Sequence, residues 1–212
     1  MPTNYGNGQK SHTSHNITKD FLMLNLRKLH RKIAPILFIP LLLSATTGIA
    51  YRIGRSWFGL SDEFGDFMML FHEGRFLGKP LVPVYVLLLG LGLLGIIVSG
   101  LTMIKRKRQS SSSQPQRDIR WLHRFLAPIA FLPLLVSSLT GISYRLGKVW
   151  FGLPQEQAAV LLKIHQGSYL GSTLKPLYVL LVGAGLISLL ITGIQMSGIF
   201  RKHKPQSSSS SS

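Results

Sequence analysis

Four histidines carry the chemistry open to this chain. His30 and His123 each sit in the pattern R-x-L-H-R just before an apolar run, and His72 and His165 each open H-x-G-x-x-L-G just before another. A neutral imidazole nitrogen is a metal ligand near neutral pH. Two imidazoles facing each other from different helices hold a b-type haem without any covalent link to the protein. Cysteine is absent. That removes disulfides, cysteine-ligated iron–sulfur clusters, covalent c-type haem attachment and thiol catalysis within this chain. The other histidines, His12, His15 and His203, lie in polar or basic stretches and read as solvated.

The four come from a duplication. Residues 27–103 and 120–196 align without a gap at a constant offset of 93, with about half of the paired positions identical. RKLHRKIAPILFIPLLLSATTGIAYRIGRSWFGL returns as RWLHRFLAPIAFLPLLVSSLTGISYRLGKVWFGL. Between 61–73 and 154–166, only Glu63 with Glu156 and His72 with His165 match. The imidazole has outlasted its surroundings, which points to a role in both copies. An internal repeat of this kind decides the architecture before any local reading does.

The elements that must position these residues are apolar. Charged residues make up 15% of the chain and the mean hydropathy is +0.27, too apolar for an ordinary soluble domain. Four runs stand out, Ile33–Tyr51, Leu81–Ile104, Leu126–Tyr144 and Leu174–Phe200, free of charge except for Lys175. Each is long enough for a helix to cross a ~30 Å hydrocarbon core. The expected fold is an all-α integral membrane protein of four transmembrane helices, two tandem hairpins closing into a pseudo-two-fold four-helix bundle. The chain divides into a polar N-terminal arm (1–26), repeat 1 (27–104), a basic and serine-rich linker (105–119), repeat 2 (120–200) and a basic serine tail (201–212); within the arm, 1–19 reads as disordered and 17–30 as the start of an amphipathic segment on the membrane surface. Pro35 and Pro40, repeated as Pro128 and Pro133, shape the odd helices. Tyr51, Trp57, Tyr144 and Trp150 are placed for an interfacial aromatic belt. The glycines of the even helices suit close helix packing. The stretch after each W-F-G-L reads as a short amphipathic helix or loop outside the membrane.

Net charge is +17, but its distribution argues against nucleic acid as a partner. Of 24 Lys and Arg, 16 fall in the arm, linker and tail with their flanks, three segments that four crossings put on one side. That matches the positive-inside rule and orients the termini to the cytoplasm of a bacterial-type inner membrane. The basic flanks then contact anionic lipid.

Paired across the repeats, His30 faces His123 at the cytoplasmic end and His72 faces His165 at the other, about 30 Å apart if both pairs lie at the boundaries. The expected ligands of haem iron are therefore His30 with His123 and His72 with His165, giving up to two haems b. Arg31, Arg52, Arg124 and Arg145 are the candidate partners for haem propionates. A zinc site fits poorly, because two histidines per level leave the coordination shell incomplete.

These motifs resemble the PepSY-associated transmembrane family: Leu29-His30-Arg31 with Thr47-Gly48 and His72–Gly78, then Leu122-His123-Arg124 with Thr140-Gly141 and His165–Gly171. The resemblance implies a membrane protein akin to bacterial inner-membrane reductases linked to ferric iron and siderophore uptake, with haem at His30, His72, His123 and His165. The longer members carry periplasmic PepSY modules between helices. Loops of about 25 residues cannot hold one, so this reads as a short form. No Gly-rich nucleotide fingerprint is present, so the electron donor is a quinol or a partner reductase. Two functional classes stay open at this point: a haem-dependent membrane reductase or electron carrier, and a cofactor-free membrane anchor or regulatory interaction protein. A small transporter fits less well, since no intramembrane charge marks an ion path.

Overall fold

The apolar runs fold as helices. The structure, a computed structural model, describes residues 9–107 and 118–197, with side chains at 25–102 and 118–197. In chain order these are α1 (Gln9–Trp57), α2 (Asp62–His72), α3 (Val82–Lys107), α4 (Ile119–Trp150), α5 (Gln155–His165) and α6 (Gly171–Ser197). Single 3-10 turns at Arg75–Leu77 and Ser168–Leu170 precede α3 and α6. Four segments are long and apolar enough to cross a membrane: Asn25–Trp57, Val82–Thr102, Ile119–Trp150 and Ser168–Ser197. Large apolar side chains line their outward faces, with Ile36 at 73% and Ile39 at 71% exposed. Lipid, not water, is the solvent such a face suits.

The N-terminal arm departs from expectation. Residues from Gln9 onward continue α1 instead of remaining unstructured. Gly8 is the last glycine before Gly48, and no proline intervenes before Pro35, so nothing breaks the helix once α1 has formed. Met1–Gly8, the serine-rich part of the linker, the 201–212 tail and His203 lie outside the described residues, as do the side chains of His12 and His15.

Two helix starts carry a side-chain cap. Asp118 caps α4 by accepting from the Trp121 N–H at 2.8 Å, and the Ser61 side chain caps α2 through the Phe64 N–H. Both prolines of α1 and both of α4 are accommodated within continuous helices.

Helices α1, α3, α4 and α6 form a ring in that order, each packed on the next, with α6 closing on α1. The contacts between repeats recur at the offset of 93. Gly90 of α3 admits Ile142 of α4, and Gly183 of α6 admits Ile49 of α1. Small residues at these crossings let the helices approach closely. Helices α1 and α4 therefore stand on one diagonal of the ring.

The short helices are not loops standing clear of the bundle. Helix α2 doubles back along α1: Phe64 covers Gly54, Gly65 covers Tyr51, and His72 at its end reaches Gly48. Helix α5 does the same along α4, with Ala158 fully buried in the place of Gly65 and His165 against Gly141. The chain then turns sharply. Gly74 and Gly167 have φ of 71° and 67°, and a Cβ at either would strike the ring of Tyr85 or Tyr178. That double demand explains the glycine two places after each of these histidines.

Candidate functional site

Doubling back carries His72 and His165 deep into the bundle. The His72 Nδ1–H donates to the Ser44 carbonyl at 2.8 Å, and the His165 Nδ1–H donates to the Ser137 carbonyl at 2.9 Å. Ser44 is 14 residues along α1 from His30, or about 21 Å at 1.5 Å per residue. The two histidine levels are thus closer than the boundary-to-boundary spacing of about 30 Å expected from the helix length. The reason is the packing of α2 and α5 against the middle of their neighbours.

The loop-side pair meets across the ring, with the rings of His72 and His165 6.3 Å apart between centroids and inclined at 56°. A carbonyl oxygen can only accept, so each Nδ1 carries the proton and each Nε2 keeps its lone pair. Burial pushes the His72 imidazole below its usual pKa, with the neighbouring Arg145 charge adding to the effect. Burial, and then the nearby His72, push His165 down to about 4. Both rings are neutral at physiological pH, which is the form that binds metal.

The tail-side pair repeats the chemistry with different partners. His30 Nδ1 is 2.9 Å from Ser99 Oγ, and His123 Nδ1 is 2.8 Å from Thr192 Oγ1. The Ser99 hydroxyl donates to the Gly95 carbonyl, and that of Thr192 donates to the Ser188 carbonyl. Each hydroxyl oxygen then accepts from the imidazole, so Nδ1 is again protonated and Nε2 again bare. An outer-shell bond of this type fixes the tautomer of a ligating histidine.

Every one of the four rings lies against a glycine. A Cβ on Gly48 would stand 3.0 Å from His72 Cε1, and one on Gly141 3.1 Å from His165 Cε1. On Gly100 and Gly193 it would stand 3.6 Å from Cε1 of His30 and His123. Sequence reasoning assigned the even-helix glycines to packing between helices and missed this use. It also missed Ser44, Ser137, Ser99 and Thr192. The available signal was a hydroxyl held at the same register in both copies of an apolar helix.

Two cavities follow the two pairs. The loop-side cavity has a volume of about 410 Å³ and is bordered by His72, His165, Arg52, Arg145 and the glycines Gly48 and Gly141. The tail-side cavity, bordered by His30 and His123, is about 80 Å³. Ligand pockets are typically ~300–1,000 Å³, so only the first is of ligand size. Leu41, Leu93, Leu134 and Leu186 border both and form a layer between them.

Of the four arginines expected near the histidines, two are at the loop-side site. Arg52 reaches across the ring and donates to Gln166 Oε1 at 2.8 Å, while Arg145 pairs with Glu73 at 2.5 Å. Arg31 and Arg124 are exposed and do not border the tail-side cavity. Tyr51 and Tyr144, expected in the aromatic belt, border the loop-side cavity instead. Trp57 and Trp150 are exposed, as a belt requires. No group of three or more His, Cys, Asp or Glu that could hold a metal occurs among the described residues.

Comparison with known proteins gives one positive result. A family model described as the PepSY-associated TM region matches residues 52–159, just over half of the chain. The match includes His72 and His123, one histidine from each of the two cavities, together with Arg52 and Arg145. No curated protein and no solved structure matches the chain.

Proposed function

The chain belongs to the PepSY-associated TM family, and from that premise we propose that it is a small b-type cytochrome that moves electrons within or across the membrane. Ferric iron or a ferric chelate is the proposed acceptor class, and a quinol or a partner reductase the proposed donor. The bilayer in question is a bacterial inner membrane, with the termini on the cytoplasmic side because the basic residues concentrate there.

The observation that carries this reading is the loop-side pair. Two imidazoles whose Nδ1 is already engaged border one cavity, with ring centroids 6.3 Å apart. An atom bonded at about 2 Å to one nitrogen of each ring places the centroids about 6 Å apart. With two histidine donors at the level, and the carboxylate that borders the cavity, Glu73, already paired with Arg145, the matching metal is one that brings its own equatorial ligands, as haem does. The cavity of about 410 Å³ has the size for a cofactor.

His72 and His165 would hold the haem at the loop side. His30 and His123 offer the same donors at the tail side, but the cavity of about 80 Å³ there is too small for the macrocycle as it stands. When bound, haem supplies one-electron redox chemistry. The chain's own contribution is positional. Ser44, Ser137, Ser99 and Thr192 lock the tautomers, the glycines clear room beside each ring, and the leucine layer excludes water between the levels. The test is a titration of detergent-purified protein with iron protoporphyrin. A low-spin, six-coordinate spectrum is expected, reduced to a five-coordinate one in His165→Ala. Wild-type binding by a His72→Ala/His165→Ala double variant would overturn the assignment.

The competing reading, a cofactor-free anchor or regulatory bundle, has one observation in its favour. Each of the four imidazoles already has a protein partner, and the Arg52–Gln166 and Arg145–Glu73 bridges tie the two repeats together unaided. That reading expects no haem uptake and a loss of stability when either bridge is cut.

A further inference from the structure

The two halves of the loop-side site are not equivalent in charge. Arg52 and Arg145 occupy matching positions, yet their cross-ring partners differ: Arg145 meets the carboxylate of Glu73, and Arg52 meets the neutral amide of Gln166. Glu73 also pairs with Arg75 at 3.4 Å, and Arg75 pairs in turn with Asp66. The Arg145 side is therefore a closed network of two cations and two anions. On the Arg52 side the opposite holds. Lys175 stands near the start of α6, the helix packed on α1, where the first repeat has Val82 at the matching position. The buried Arg52 Nε has no hydrogen-bond partner among the described residues.

A half-buried guanidinium with an unused, buried N–H and, among the described residues, no carboxylate partner is an incomplete ion pair. An uncompensated charge in such a place is costly, and the missing member is an anion of carboxylate geometry. Arg52 borders the cavity that holds His72 and His165. We propose that Arg52, supported by Gln166, is a carboxylate-binding subsite of the loop-side cavity, and that it takes a carboxylate side chain of the bound macrocycle on that side alone. The inference rests on the haem reading and deepens it. A site with one carboxylate receptor fixes which edge of the cofactor faces Arg52. The Arg145 side, already neutral, does not compete for it.

The experiment compares the binding of iron protoporphyrin with that of its dimethyl ester, which lacks free carboxylates, to detergent-purified full-length protein. Wild type is expected to favour the free acid by about tenfold or more, the scale of a charge-assisted hydrogen bond. Arg52→Gln should abolish the preference and Arg145→Gln should keep it. Gln166→Glu supplies the missing carboxylate from the protein itself, so it should abolish the preference in a chain that keeps every arginine. That variant also covers the case in which Arg52→Gln fails to fold. Equal binding of acid and ester by wild type overturns the subsite while the haem reading stands. Loss of the preference in Arg145→Gln with retention in Arg52→Gln overturns the choice of side. Saturating citrate should leave the preference unchanged; its loss there assigns the subsite to a free carboxylate and overturns the macrocycle as occupant. Binding of neither compound overturns the haem reading, and the occupant named here with it.

Discussion

Substituting Gly48 by alanine probes the site through a single methyl group. The added Cβ lies 3.0 Å from both Cε1 and Nδ1 of His72, where ordinary contact begins at 3.4 Å. The ring must retreat by about 0.4 Å, because close-packed interiors have no slack to absorb the overlap. Its Nδ1 is held to the Ser44 carbonyl at 2.8 Å. Retreat stretches that bond to about 3.2 Å, the long edge of useful geometry. Partial loss of a hydrogen bond plus overpacking costs about 1–2 kcal/mol. Gly95→Ala is the matched control, since a Cβ there meets nothing within 4 Å, and it should be neutral or gain up to about 1 kcal/mol from helix propensity. Two assays follow. Thermal unfolding in detergent should separate the variants by that margin whatever the cofactor. Haem titration should show affinity at the loop-side pair lowered about tenfold, since 1.4 kcal/mol is a factor of ten. Indistinguishable behaviour of the Gly48 and Gly95 variants in both assays would refute the claim that glycine makes room for the imidazole.

Three further outcomes are expected. Leu134→Ala removes a side chain that is 4% exposed and belongs to the layer between the cavities. It should destabilise the bundle by about 2–5 kcal/mol in thermal unfolding, and a stability equal to wild type would show that the layer does not pack as described. His123→Ala should leave the loop-side haem spectrum intact, and loss of all haem would show that the pairs are not independent. In the cofactor-free protein, stability should depend on pH through His165. Its pKa is lower folded (about 4) than the ordinary 6.5, so the unfolded chain takes up the proton first as pH falls. The stabilisation is whole above pH 6.5 and drains as pH falls from 6.5 toward 4. A melting temperature flat across that window, or an equal slope in His165→Gln, would contradict it.

The parts that were legible in sequence are those that depend on composition and repetition. Four apolar runs, an offset of 93 and the survival of His72 beside unmatched neighbours were enough to give the helices and the pairing of His72 with His165 across the repeats. Depth was not legible. Nothing local in Asp62–His72 tells that the helix folds back along α1, because that choice is made by the fit of Phe64 over Gly54 and of Gly65 over Tyr51, contacts between two separate segments of the same repeat. The same cause moved Tyr51 and Tyr144 from the belt to the cavity wall. The difference between Glu73 and Gln166 was visible in the alignment but passed as drift, since its meaning needs Arg145 and Arg52 reaching over from the opposite repeat. The continuation of α1 back to Gln9 escaped a reading that took polar composition for lack of structure.

The most direct test of the cytochrome reading is a dithionite-reduced minus oxidised absorbance spectrum of detergent-purified protein, expressed with ample haem and quantified as pyridine haemochrome. A b-type spectrum with one to two haems per chain, diminished in His165→Ala, is the expected result. A colourless protein, or haem that persists unchanged when His72 and His165 are both replaced, would contradict it.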